Sequence, residues 1–169
     1  YTKEAKPKLN ELTQFVSIKA IDLYNSKDYK KATENFYLTY KLSPTDTSFL
    51  YNAALSSSLG KDYDGALKYY KELQDVKYTG ITTQYIAVNK VTGEEENMGT
   101  KANRDAMVKF GKYINPSVKN TESKEAEIIK NIGYIYVNQG KPELAVAALE
   151  VARKANPKDI NLLLNQAQM

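Results

Sequence analysis

Tyrosine and glutamate supply the side chains of this chain that could do chemistry. The sequence contains 14 tyrosines, and each carries an apolar ring with a polar hydroxyl, a combination suited to half-buried faces and binding surfaces. The run Glu94-Glu95-Glu96 groups three carboxylates, whose oxygens are ligands that calcium prefers. Nothing around this run has the spacing of a calcium-binding loop, so the sequence predicts a solvated turn there and no metal site.

Cysteine and histidine are absent from the 169 residues. Without cysteine the chain forms no disulfide, no thiolate metal site and no thiol nucleophile. Without histidine it lacks the commonest general base and the commonest metal ligand, so a Ser–His–Asp site cannot be assembled. Glycine-rich phosphate loops and paired catalytic carboxylates are not recognisable either. The sequence therefore predicts a protein that is not an enzyme and that carries no cofactor.

The basic residues do not form a nucleic-acid signature. The net charge is +4, and only Arg104 and Arg153 among the 24 basic residues are arginine, the residue that reads bases and clamps phosphates in two places at once. The lysines are interleaved with Asp and Glu along the chain. No apolar run approaches the ~20 residues of a membrane span. We therefore expect neither a nucleic-acid partner nor a transmembrane segment.

Three segments of the chain repeat one pattern. The second segment follows the first at a spacing that is the same for every matched position, and the third resumes this register after an insertion. A small residue recurs in each of two predicted helices, with a large residue one turn after the second. These positions are Ala20, Ala54 and Gly133, then Ala32, Ala66 and Ala145, then Phe36, Tyr70 and Leu149. Small side chains let two helices approach closely and large ones fill the adjacent groove, so the pattern predicts packed helical hairpins.

The spacing of the segments, the small residues and the closing prolines Pro44 and Pro157 resemble the tetratricopeptide repeat family, whose repeat length is about 34 residues. Two positions depart from the family pattern: Tyr78 stands where the second repeat should have proline, and Pro142 replaces a tyrosine. The resemblance implies an all-α fold, an α-solenoid of antiparallel helix–turn–helix repeats in a right-handed superhelix. It covers three repeats with an insertion between the second and the third.

The register divides the chain into six parts. They are a helical extension at 1–12, repeat one at 13–46, repeat two at 47–80, the insertion at 81–125, repeat three at 126–159, and the start of a further or capping helix at 160–169. Helices are predicted at about 7–25, 28–42, 47–59, 62–75, 123–139 and 142–154, with turns marked by Gly60 and Gly140. Pro142 suits the first turn of its helix, where a missing N–H costs nothing.

The insertion has a different composition. Residues 81–88 are rich in β-branched and aromatic side chains, which favours a strand. The turn at 89–93 ends in Gly93 and leads into a second strand at 94–98, so we expect a two-stranded hairpin. Thr100 is a suitable cap for a short helix ending near Phe110. The stretch from Tyr113 through Pro116 to Ser123 is predicted to be a loop.

The resemblance also implies a binding surface. In this family the first helices of the repeats line a concave groove, and the register assigns twelve residues to it. They are Gln14, Ser17, Ile21 and Tyr24 in repeat one, Ser48, Tyr51, Asn52 and Leu55 in repeat two, and Glu127, Lys130, Asn131 and Tyr134 in repeat three. Tyrosine rings give contact area and amides hydrogen-bond an extended backbone, so the surface suits a peptide.

The leading hypothesis is therefore a non-enzymatic scaffold for protein–protein interaction, which binds a polypeptide through the groove, the insertion or both. The alternative is a carrier or receptor component that binds a small ligand or glycan in a bacterial envelope, because rings stack on sugars and amides bond their hydroxyls. A third reading is a repeat domain that supports an enzyme located elsewhere in a longer chain. Similar insertions occur in envelope-associated repeat proteins of some bacteria, which favours a periplasmic or secreted location. The partner's identity and the oligomeric state do not follow from the sequence.

Overall fold

The computed structural model describes residues 5–155 and shows a mostly helical protein with a small sheet. The chain divides into two compact units. The helical unit comprises the described residues up to Tyr78 and from Glu125 onward, and the sheet unit comprises Thr79–Lys124. The helix predicted at 160–169 lies outside the described residues. No helix within residues 5–155 is long and apolar enough to cross a membrane.

Helices that each pack against the next helix along the chain build the helical unit. Their bounds are α1 (Ala5–Asn25), α2 (Tyr29–Leu42), α3 (Ser48–Leu59), α4 (Tyr63–Asp75), α6 (Glu125–Asn138) and α7 (Pro142–Ala155). The second helices of repeats one and two begin alike. The carboxylate of Asp28 accepts from the N–H of Lys31, and that of Asp62, at the same position of the next repeat, accepts from the N–H of Gly65. Each cap satisfies a backbone donor that the helix leaves unpaired.

The first helices of the repeats end on a residue in the left-handed conformation. Lys27 after α1, Lys61 after α3 and Gly140 after α6 have φ angles of 63°, 62° and 71°, and they occupy one position of the repeat. Gly60, which the sequence marks as the turn residue, has a φ of −76°. A close contact explains why glycine occupies this position, because a Cβ added there would lie 3.1 Å from the Cβ of Tyr29.

The nine positions that define the repeat are all buried. The alanines have 0% of their surface exposed, and Phe36, Tyr70 and Leu149 have 3%, 0% and 1%; Gly133 is buried in α6. The small residues therefore lie at helix contacts and the large ones fill the space beside them, as the pattern predicts. The largest core cluster includes Leu50 of α3 and Leu73 of α4, and Ile128 and Ile135 of α6 join it.

The sheet unit is a three-stranded antiparallel sheet with one helix. The order is β2-β1-β3, with β1 (Thr83–Asn89) between β2 (Glu95–Asn97) and β3 (Tyr113–Asn120), and α5 (Lys101–Lys109) connects β2 to β3. The predicted hairpin is present as the pairing of β1 with β2, where Val88 lies opposite Glu95 and Ile86 opposite Asn97. Thr100 caps α5, since its hydroxyl accepts from the N–H of Asn103.

The loop predicted from Tyr113 to Ser123 is wrong, because most of it forms β3. Asn-Pro at 115–116 has the composition of a turn, but here it forms a bulge. Ile86 pairs with Ser117 and Val88 with Ile114, so one residue of β1 faces two of β3. Asn115 takes a φ of 50° in the bulge. Proline is tolerated at a bulge and on an edge strand, where its missing N–H breaks no ladder bond.

Candidate binding surface on the helical unit

The twelve residues predicted to line a groove differ in exposure. Five are exposed: Gln14, Ile21, Ser48, Lys130 and Tyr134. Six are partly buried: Ser17, Tyr24, Asn52, Leu55, Glu127 and Asn131. Tyr51 is buried, with 7% of its surface exposed. Side chains of the first two groups are therefore accessible to a bound partner. The side chain of Tyr51 is not, and it influences this surface only through the residues that it contacts.

Tyr51 joins the second repeat to the third. Its hydroxyl donates a hydrogen bond to Glu127 of α6. Its ring stacks on Tyr78, with centroids 5.7 Å apart and an interplanar angle of 27°. The helical spacing of α3 turns Tyr51 toward α6, and the turn after α4 brings Tyr78 beside it. The result is a fixed aromatic and carboxylate group between two first helices.

A second polar contact lies beside the first. The side-chain amide of Asn131 donates to the hydroxyl of Tyr70, with nitrogen and oxygen 3.1 Å apart. Tyr70 itself is fully buried in α4. Burying a polar group without a partner costs free energy, so this bond fixes both the hydroxyl of Tyr70 and the orientation of the amide of Asn131.

The phenols of this region remain protonated at neutral pH. Burial raises the pKa of Tyr51, and the bond to the carboxylate of Glu127 raises it further. Burial raises the pKa of Tyr70 to about 12, and it also raises the pKa of Tyr78. A protonated phenol donates a hydrogen bond but does not serve as a base or nucleophile. The cluster therefore offers hydrogen-bonding groups and aromatic rings.

The predicted groove residues of repeat one make their contacts inside the first helical hairpin. Tyr24 lies edge-on to Tyr29 and Phe36, with centroids 5.7 and 6.2 Å apart. The hydroxyl of Ser17 donates to the carbonyl of Gln14 at 2.8 Å. Tyr24 therefore packs the hairpin, and Gln14 and Ile21 provide the exposed part of this stretch.

Repeats two and three hold the remaining predicted residues. Leu55 packs against the main core, and the hydroxyl of Ser48 donates to the carboxylate of Asp46. Tyr134 is 55% exposed, and together with burial, which has the larger effect, it raises the pKa of Tyr63 at the start of α4. Exposed Lys130 lies one helical turn before Tyr134 on α6. A ring and an ammonium group are thus presented together on this helix.

Sequence reasoning missed two members of the polar cluster. Tyr78 stands where the repeat pattern calls for proline, and that departure was the available signal. The repeat register predicts that Tyr70 is a packing residue, and its ring is one. Its hydroxyl, however, also fixes the side chain of Asn131.

A separate apolar cleft of about 660 Å³ lies between α4, α6 and α7. Its walls include Leu67, Ile129 and Val151, and Lys68 and Lys71 also line it. None of the twelve predicted groove residues belongs to it. The helical unit therefore carries two distinct surfaces, one of amides and tyrosines and one of aliphatic side chains.

The glutamates of the run Glu94-Glu95-Glu96 do not converge on one point. Glu96 accepts from the amide of Asn89 at 2.9 Å and from the hydroxyl of Tyr113 at 2.7 Å, while Glu95 pairs with Lys119. These bonds hold the strands together. Within residues 5–155 no cluster of three or more Asp, Glu, His or Cys side chains forms a candidate metal site.

The chain matches no protein-family model and no curated protein sequence.

Proposed function

We propose that the helical unit is a tetratricopeptide-type solenoid with a right-handed superhelix and that it acts as a non-enzymatic scaffold for an extended polypeptide. The observation that carries the proposal is the pair of contacts Tyr51–Glu127 and Asn131–Tyr70. They fix a carboxylate and an amide on α6, the first helix of repeat three, and Tyr51 ties that carboxylate to α3, the first helix of repeat two. In a solenoid of this type those helices share one surface.

The physical basis is preorganisation. A peptide backbone presents an N–H or a C=O at each residue, and amide side chains hydrogen-bond to both. Asn131 is held by Tyr70, so little of its side-chain freedom remains to be lost on binding. Tyr134 adds an exposed ring and Lys130 adds a positive charge beside it. Rings and cations next to fixed amides are features of a surface that binds polypeptide.

The test uses a photoreactive phenylalanine analogue at two positions of the full chain in its native cell. One variant carries it at Tyr134 on α6, and the control carries it at Leu38, which is 47% exposed on α2. We expect a polypeptide crosslinked from position 134 and not from position 38. Equal crosslinking from both positions would show that the surface has no preference and would contradict the proposal.

Substitution provides the second arm. Ile21→Ala, Lys130→Ala and Tyr134→Ala together remove exposed side chains, so the fold is preserved, whereas Tyr24 and Tyr51 are packed and are left intact. We expect capture of the crosslinked polypeptide to fall at least about tenfold, since truncation of one hot-spot residue, a class in which tyrosine is enriched, costs about 2 kcal/mol or more. The matched control is Leu38→Ala with Lys71→Ala and Val146→Ala, three exposed changes on second helices. If a glycan panel gives thermal shifts that the first set abolishes, and no polypeptide is recovered, the carrier function replaces this one.

A further inference from the structure

The outer face of α1 carries three large apolar side chains that are exposed. Leu12, Phe15 and Ile18 are 48%, 67% and 51% exposed. They follow one another at intervals of three along the chain, which places them along one side of a helix. The opposite side of α1 packs against α2 through Val16 and Ala20, which are buried. This helix therefore has an apolar strip in addition to the one that it uses in its own hairpin.

The repeat register shows what this face does elsewhere in the molecule. Phe15 in repeat one corresponds to Phe49 in repeat two and to Ile128 in repeat three. Phe49 packs against core residues of repeats one and two, and Ile128 is 4% exposed in the main core. In repeats two and three the position is thus an interface with the preceding helices. In repeat one the same position is open.

The charges on α1 distinguish its face from those of the later repeats. Lys19 occupies the position of Ala53 in repeat two, and Asp22 occupies the position of Ser56. Ala53 and Ser56 are fully buried, whereas Lys19 and Asp22 are exposed. A face with these charges is not suited to burial under another hairpin of the same kind. It requires a partner that brings opposite charges to the same places.

The strip has the symmetry of a surface that pairs with itself. Counting three positions outward from Phe15 in each direction reaches Leu12 and Ile18, both apolar. When two copies of α1 lie antiparallel about a two-fold axis, Phe15 meets its equivalent and Leu12 meets Ile18 of the other copy. In a contact with two-fold symmetry the same surface patch of each copy faces the other, so the patch must be complementary to itself, as this strip is.

The charges follow the same symmetry. Four positions outward from Phe15 stand Glu11 and Lys19, and seven positions outward stand Lys8 and Asp22. Offsets of three, four and seven keep all of these residues on the side of Phe15. The antiparallel arrangement sets each carboxylate opposite an ammonium group of the other copy. The four side chains are exposed, and no ion pair found among the described residues uses them within the chain.

We propose that this face of α1 binds a second copy of the chain, with the two helices antiparallel and centred on Phe15. The charge pattern selects the antiparallel register, because a parallel pair would set like charges against each other. The surface is one side of a single helix, so the buried area lies near or below the roughly 1,200 Å² of the smallest stable interfaces. The dimer is therefore weak, and it is salt-sensitive because ion pairs between the two copies set its register.

The experiment is a charge exchange on the intact chain, read by sedimentation equilibrium from micromolar to millimolar concentration at low salt. Glu11→Lys puts lysine opposite lysine at both ends of the contact, and Lys19→Glu puts glutamate opposite glutamate. We expect each variant alone to self-associate at least about tenfold more weakly than the unaltered chain, because like charges face each other twice. When the two variants are mixed, opposite charges face each other again and a heterodimer forms.

Three controls make the result specific. The double variant Glu11→Lys with Lys19→Glu restores both pairs in one chain and should dimerise like the unaltered protein. Lys6→Glu changes an exposed lysine of α1 that lies on the other side of the helix from Phe15, and it should have no effect. Phe15→Ser should weaken the dimer without loss of helical circular dichroism, because the residue is exposed.

Two outcomes overturn the proposal. An unaltered chain that stays monomeric at millimolar concentration does so directly, and it assigns the strip to a different protein. A dimer that forms equally well with Glu11→Lys, Lys19→Glu and Phe15→Ser shows that association uses another surface.

Discussion

The helical unit buries alanine, leucine, isoleucine and tyrosine in clusters that together include residues of α1 to α7. The sheet unit, over the part of the chain described, buries Ile86 and Ala87 together with the guanidinium-bearing Arg104, which is 7% exposed. One unit is stabilised mainly by apolar packing between repeats. The other depends on polar contacts around a small core.

Arg104 shows how the sheet unit compensates for its small apolar core. Its Nη1 donates to the carbonyl of Ser117 at 2.9 Å, and its Nε and Nη2 donate to the carboxylate of Asp105 at 3.0 and 2.7 Å. The guanidinium also lies over the ring of Tyr85, 5.5 Å from its centroid. A buried cation is tolerated when it is paired and hydrogen-bonded in this way. The difference between the units predicts different responses to substitution.

Overpacking should have the largest effect, and it should fall on the helical unit. Ala66→Leu adds three carbons where α4 carries a fully buried alanine. We expect the free energy of unfolding to fall by up to about 3 kcal/mol. The measurement is urea unfolding followed by far-UV circular dichroism. Ala147→Leu, an exposed change on α7, is the matched control, and equal midpoints for the two variants would refute the packing assigned to Ala66.

Loss of the buried cation should destabilise the sheet unit. Arg104→Met keeps the length of the side chain but removes the bond to Ser117 and the pairing with Asp105. We expect a loss of about 1–2 kcal/mol, because a strand carbonyl loses a charged donor. Amide hydrogen exchange should quicken in β1 and β3 and stay unchanged in α3. Faster exchange across both units would argue against separate stabilisation.

Relief of backbone strain should give a smaller effect of opposite sign. Lys61 holds a φ of 62° at the end of α3, a conformation that costs a residue with a Cβ more than it costs glycine. Lys61→Gly should raise the stability by about 0.5 kcal/mol, after the greater freedom of glycine in the unfolded chain is subtracted. Thermal unfolding checks this. Lys68→Gly, in the middle of α4, should instead lower the melting temperature.

The smallest effect concerns one carboxylate of the sheet unit. The hydroxyl of Tyr113, with a further contribution from Asn89, lowers the pKa of Glu96 below its ordinary value of 4.5. A lowered pKa stabilises the fold at pH values above the unfolded pKa, and that contribution disappears as the pH falls through the folded pKa. Tyr113→Phe should raise the pKa of Glu96 toward 4.5, as measured by NMR titration of the side-chain carboxyl. An unchanged titration would mean that the bond to Tyr113 does not form in solution.

The sequence predicts the helical unit better than the sheet unit, and the cause is physical. The positions of Ala20, Ala32, Ala54 and Ala66 recur at a fixed period because each packs against an equivalent neighbour, so a buried face can be inferred by comparing repeats. Arg104 has no equivalent in the repeats, and in a sequence a single buried arginine looks the same as an arginine exposed to solvent. Its burial depends on the backbone of Ser117, which sequence spacing does not reveal.

The candidate surface was predicted only in part for the same reason. The register identifies the face of a helix on which a residue lies, but it does not show how closely the next helix approaches. Tyr51 was therefore assigned to a partner, although it packs on Tyr78 and bonds to Glu127. β3 was missed because Asn115 and Pro116 are common in turns, and their bulge requires β1 as a partner strand. Lys27 and Lys61 occupy turn positions with positive φ, where glycine is the usual residue, so the sequence does not mark these turns.

The two ends of the sheet unit meet. The N–H of Lys124 donates to the carbonyl of Thr79 at 2.7 Å, and the N–H of Thr121 donates to that of Thr82 at 2.9 Å. When the two ends of an inserted segment lie close together, the flanking residues of the chain stay close to each other as well. Such an insertion is tolerated because little distance has to be spanned between those flanking residues. In terms of evolution and of engineering, we expect that Thr79–Lys124 can be deleted or exchanged as one piece while the helices on either side keep their packing.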